Sequence, residues 1–180
     1  MEAVVNTSYN MDLVVLSYVI SVVGAFIALY SAGRLKPHSN NRQAYLFSVT
    51  IAGVALCGIG VWSMHFIAML ALRMDVGLGY SVWETVISLV AAIAISAGAF
   101  HFVALNPTSL PRLLTAGLTL GMGAVVMHYL GMYGMRFSGH FQWDYARVGL
   151  SVLIALVAAT SALWLAFNTR ALSTRVTAAF

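Results

Sequence analysis

A chain of 180 residues that is 61% hydrophobic and only 8% charged is not an ordinary soluble domain. Its net charge of +4 and pI near 9.5 come without a Lys/Arg patch, which excludes nucleic acid as the partner. Helix-length apolar runs recur five times, each able to cross a bilayer core of about 30 Å, so the lipid bilayer is the expected surrounding.

Residues 1–10 form a short lead without Lys or Arg, unlike a cleavable signal. Span one lies near 11–33 and carries Ser17, Ala25 and Ala28-Leu29. A polar turn at 34–43 with Pro37 leads to span two near 44–72, where the single Cys57 reads as core. The loop 73–81 precedes span three near 82–105, with Ser88, Ser96 and Ala99 at the offsets seen in span one. Pro111 marks the start of span four, near 112–135. The loop 136–146 holds Trp143 and Tyr145, which with Tyr80 fit an interfacial aromatic belt. Span five, near 147–168, again sets Ser151, Ala159 and Ala162-Leu163 at the same offsets. Small residues at this spacing let helices approach closely in lipid. The expected fold is all-α: a polytopic transmembrane helix bundle of five visible spans built from helix-pair repeats. The pattern calls for a third motif helix after span five, so residues 174–180 read as its beginning and the chain as truncated at its C-terminus.

The even spans carry the repeat itself. Gly58-Ile-Gly60-Val-Trp62-Ser-Met64-His65-Phe66-Ile-Ala-Met69-Leu-Ala-Leu-Arg73 recurs as Gly121-Met-Gly123-Ala-Val-Val-Met127-His128-Tyr129-Leu-Gly-Met132-Tyr-Gly-Met135-Arg136. Both read G-x-G-x3-M-H-x3-M-x3-R, which marks an internal repeat. At about 100° per residue, the first Gly, the His and the second Met share one helix face. Arg73 and Arg136 are expected as interface anchors at helix ends.

Charge sets the expected orientation. Arg34, Lys36, Arg42, Arg112, Arg170 and Arg175 cluster at one end, and all five acids lie at the other. The Lys/Arg-rich side is cytoplasmic by the positive-inside rule, with the N-terminus outside and the C-terminus inside. Each motif His sits eight residues before an outside Arg, about 12 Å of helix rise, so both imidazoles lie at one depth near the outer face.

Polar side chains at that depth face a protein interior or a site. Imidazole with thioether, and no carboxylate or thiolate beside them, suits copper better than zinc or calcium. The candidate metal ligands are His65, His128, Met64, Met127, Met69 and Met132; interhelical hydrogen bonding for the histidines and core packing for the methionines are the other readings. Two His at one depth on neighbouring spans also allow a second function, a b-type haem electron carrier. His101, His38 and His140 fall outside the motif register. No nucleophile–base pair, phosphate loop or carboxylate pair points to an enzyme.

Met64-His65-Phe66-Ile67 and Met127-His128-Tyr129-Leu130 resemble the motif of the MHYT family of bacterial integral-membrane sensor domains. Phe66 stands in for the motif's Tyr, and Ile67 and Leu130 for its Thr. The resemblance implies an inner-membrane sensor that binds copper through His65 and His128 with Met64 and Met127, Tyr129 filling the aromatic position. It further implies a diatomic gas (O2, CO or NO) or redox state as signal, and a cytoplasmic output domain such as one for cyclic-di-GMP turnover.

Overall fold

The apolar stretches become helices where polar side chains take up the free N–H groups of a helix start. Asn10 Oδ1 accepts from the Asp12 N–H, Asn41 Oδ1 from Ala44, and Asp144 Oδ1 from Ala146 and Arg147. Pro111 occupies the first turn after Ser109, where its missing N–H costs nothing. A computed structural model describes residues 7–33, 35, 41–75, 77–139 and 141–177, with side chains described as far as residue 167.

The order is β1 (Thr7–Tyr9), α1 (Met11–Ala32), α2 (Arg42–Gly53), a π-helical segment (Val54–Trp62), α3 (Ser63–Ala71), β2 (Leu72–Met74), β3 (Leu78–Tyr80), α4 (Val82–Ala104), α5 (Leu110–Tyr133), β4 (Met135–Phe137) and α6 (Tyr145–Thr177). The α2–π–α3 run is one continuous span of 30 residues, Arg42–Ala71, and five helices in all are long and apolar enough to cross a membrane. Expected and observed boundaries agree to within about two residues. The exception lies beyond span five. Residues 174–177, expected to open a further span, continue α6 without a break, and 178–180 lie outside the described residues.

The four short strands are an addition that the apolar pattern did not announce. β1 pairs antiparallel with β2, and β3 with β4, each in a two-stranded ribbon. Arg73 and Arg136, expected at helix ends, sit in the middle of β2 and β4, opposite Ser8 and Gly79. The physical reason is that the backbone turns extended at Leu72, ψ 120°, directly after Ala71. The structural repeat is therefore strand–helix–helix–strand: β1 to β2, then β3 to β4.

Packing follows the same repeat. Ser17, Ser88 and Ser151 each donate to the carbonyl three residues earlier, those of Val14, Thr85 and Val148. The first Gly of each motif faces the helix that follows: a Cβ on Gly58 would meet Ile93 of α4 at 3.4 Å, and one on Gly121 would meet Leu156 of α6 at 2.8 Å. The second Gly faces the helix that precedes. Gly60 lies against Gly24 of α1, and a Cβ on Gly123 would come within 2.6 Å of Ile95 of α4. Buried residues make up 44% and 39% of the most apolar windows of the two motif spans, against 17% and 11% in the first and fifth spans. The motif spans thus hold the centre. Val15, Phe26, Trp83 and Leu153 point outward, as the lipid face of a membrane bundle requires.

The two copies differ in their winding. Val54–Trp62 is wound as a π-helix, whereas the matching stretch of α5 is α-helical. The Ser63 N–H and hydroxyl both reach back to the Gly58 carbonyl, five residues earlier. The wider turn sets Gly58 at a different phase relative to His65 than uniform α-winding would.

Candidate functional site

The motif helices bring His65, near the start of α3, against His128, in the last turns of α5. Their Nδ1 atoms are 3.3 Å apart and the ring centroids 4.7 Å, in an edge-on arrangement. His65 is buried at 8% exposure and His128 is exposed, and both line a cavity of about 370 Å³. Met64, Met127, Tyr129 and Ser151 help line that cavity. Met69 and Met132, two of the six candidate ligands, do not. Both lie four residues on, nearer the strand-bearing end, and the Met69 carbonyl accepts the Tyr80 hydroxyl at 3.1 Å. Burial at that ribbon raises the pKa of the Tyr80 phenol, which holds it protonated as the donor.

The aromatic residue after each His packs against it in the same manner. Phe66 meets His65 edge-on at 5.2 Å, and Tyr129 meets His128 at 4.9 Å. The Tyr129 hydroxyl is 3.3 Å from the Ser151 hydroxyl on the following helix. Phe66 lacks that hydroxyl, and Trp62 supplies the missing tie: its Nε1–H donates to Ser88 at 3.0 Å. Each motif helix is thus fastened to the repeat serine of the next helix. Trp62 and its serine partner escape a motif-based reading because Val125 occupies the matching position in the second copy.

His65 has one further peculiarity. Its Nε2 is buried and has no hydrogen-bond partner. It faces Gly131 of α5, where an added Cβ would stand 2.7 Å away. Whichever ring gives the proton to the Nδ1–Nδ1 contact, this atom stays unsatisfied, at a cost of about 1–3 kcal/mol. The large majority of buried side-chain polar atoms in folded proteins have a partner.

Two imidazole nitrogens bound to one first-row metal at about 2.0–2.1 Å, at a tetrahedral angle, stand about 3.3–3.4 Å apart. The observed Nδ1 separation fits that figure, with two thioether residues on the cavity wall. Among the described residues, no group of three or more His, Cys, Asp or Glu assembles; the polar and sulfur-bearing side chains beside the pair are those of Met64, Met127, Tyr129 and Ser151. His101 lies elsewhere, its Nδ1 2.7 Å from the buried Tyr45 hydroxyl. His38 and His140 lie outside the described residues.

Family comparison reproduces this repeat. The model of the MHYT family, described as a bacterial signalling protein N-terminal repeat, matches residues 58–116 and again 121–179. The chain belongs to the MHYT family. Among its relatives, a bifunctional diguanylate cyclase/cyclic di-GMP phosphodiesterase, MucR of Pseudomonas aeruginosa, is 37% identical over 94% of this chain and 24% of its own length. The cyclic di-GMP phosphodiesterase NbdA of the same organism is 31% identical over 88% of the chain and 20% of its own length. The signaling protein YkoW of Bacillus subtilis is 28% identical over 71% of the chain and 16% of its own length. The chain therefore spans a quarter or less of the length of these relatives. No solved structure matches it. Repeat, helices and relatives together make it a multi-pass membrane sensor domain of the kind found in bacterial signalling proteins.

Proposed function

We propose that this sensor domain binds copper between His65 and His128, with Met64 and Met127 beside them, and that it senses a diatomic gas (O2, CO or NO) or redox state there. The observation that carries the reading is the pair of Nδ1 atoms at 3.3 Å on a cavity flanked by two methionines. Imidazole and thioether together select copper over zinc or calcium. Met69 and Met132, outside the cavity lining, are left out of the set. Bound copper would supply a redox-active centre able to take up a small gas. The chain's own residues orient it: Phe66 and Tyr129 brace the two rings edge-on, and Ser151 holds Tyr129.

The names of the relatives support a cytoplasmic output in cyclic-di-GMP turnover, joined to this domain in the inner membrane of a bacterium. The Lys/Arg distribution supports an N-terminus outside, which sets the His pair near the outer face. The haem alternative fits poorly. A bis-His haem needs its two rings on opposite sides of a macrocycle, and here the imidazoles touch.

Copper per folded protein, measured by mass spectrometry after purification in detergent, tests the reading. His65→Ala and His128→Ala should each lose the metal that wild type holds, and His101→Ala should keep it. Equal copper in all four proteins would reject the ligand role.

A further inference from the structure

The segment Val54–Trp62 that leads into His65 is wound as a π-helix, and the matching stretch of α5 that leads into His128 is not. Motif spacing is the same in both copies, so the difference has to come from residues the motif does not fix. Position 63 is one of them, since Ser63 stands where the second copy has Val126. The Ser63 hydroxyl donates at 3.0 Å to the Gly58 carbonyl, which also accepts the Ser63 N–H. Both bonds reach back five residues, where an α-turn reaches back four. Inside a bilayer a carbonyl released from the α ladder finds no water, so a change of winding needs a donor from the protein itself. A serine hydroxyl supplies one; a valine side chain has none.

The contacts on either side of this turn are set independently of it. Gly58 faces Ile93 of α4, and Gly60 lies against α1, where a Cβ on Gly24 would fall 2.5 Å from the Gly60 Cα. Trp62 is tied to Ser88 of α4. Two residues beyond Ser63, the His65 ring has its Nδ1 3.3 Å from that of His128 and its Nε2 against Gly131. A turn closed over five residues holds one residue more than an α-turn, and each residue is worth about 100° of rotation. With both glycines kept on their neighbours, a return to α-winding would carry the His65 ring round by an angle of that order, away from His128.

We infer that Ser63 is a positioning residue for the His pair: its hydroxyl locks the five-residue turn back to Gly58, and that turn aims His65 at His128. The aiming stands on the geometry alone; only its consequence for metal rests on the copper reading of the pair.

The test uses the full chain in lipid bilayers, with 13C-labelled histidine rings and copper removed by chelator. Solid-state NMR should show a cross-peak between the two imidazoles, assigned by its absence in His128→Gln. Ser63→Ala should lose most of that cross-peak, and Ser63→Thr, which retains the hydroxyl, should keep it. Helix content and thermal unfolding are followed in the same samples. An undiminished cross-peak in Ser63→Ala, or an equal loss in Ser63→Thr, would overturn the role. So would a Ser63→Ala protein that fails to fold, because the serine would then hold the bundle and not aim a ring. Copper per folded protein, measured before chelation, separates the two readings. Copper that falls with the cross-peak in Ser63→Ala and stays in Ser63→Thr supports both. A cross-peak that depends on Ser63 in a protein that holds no copper, or whose copper ignores the variants, keeps the positioning role and sinks the copper reading.

Discussion

At position 131 the second motif copy has Gly where the first has Ala68, and one methyl group decides the geometry of the pair. A Cβ there would stand 2.7 Å from His65 Nε2 and 3.3 Å from the Phe66 ring. Gly131→Ala should swing the imbricated imidazole away from His128, with a loss of about 1–3 kcal/mol typical of overpacking. Copper content should fall with it. Thermal unfolding in detergent, together with metal analysis, checks this; unchanged values in both would mean the ring has room to move. The His pair was legible in the sequence because two matched motifs fix two matched depths. Which methionines line the cavity was not legible from spacing, although the family resemblance pointed to Met64 and Met127. Spacing alone puts Met69 and Met132 on the His face, but the cavity opens on the side where Met64 and Met127 stand. The unpaired Nε2 has no sequence signature, since it depends on what another helix omits.

Among the elements, the π segment is where the repeat departs from itself. α1 leans directly on it through Gly24, where a Cβ would fall 2.5 Å from Gly60 Cα and 2.8 Å from the Ala55 carbonyl, both backbone atoms that cannot step aside. Gly24→Ala should therefore part α1 from the π segment and destabilise the bundle by about 1–3 kcal/mol. Gly98 in α4 has nothing within 4 Å of an added Cβ, so Gly98→Ala should be neutral or stabilising by up to about 1 kcal/mol. The opposite signs can be read from dodecyl sulfate unfolding of the two variants, and a Gly24→Ala protein as stable as wild type would show that the contact yields. Spans were readable because long apolar runs dominate everything else. The ribbons were not, since three residues such as Leu72–Met74 are too few to show alternation. Nor was the π-winding, because Gly58-x-Gly60 and Gly121-x-Gly123 are alike in sequence and differ only in their neighbours.

At the scale of the whole molecule the two ends differ in kind. One end carries both ribbons together with Asp12, Asp75, Glu84 and Asp144. The opposite end collects Arg42 and Arg112 at the starts of α2 and α5, and Arg170 and Arg175 in the last turns of α6. Helix α6, at 33 residues, is about 50 Å long against a bilayer core of about 30 Å, so it carries its backbone well beyond the lipid at that end. A rod of this kind would be the physical means by which a change at the His pair, beside Ser151 of α6, reaches the output domain proposed above, on the basic side. The orientation decides whether that output is cytoplasmic. Because Lys and Arg are held on the cytoplasmic side during insertion, a reporter active only outside the cytoplasm should be silent when fused after Arg170 and active when fused ahead of Thr7. The reverse pattern would invert the molecule, place the His pair near the cytoplasmic face, and leave the proposed output on the wrong side of the membrane to meet cyclic di-GMP.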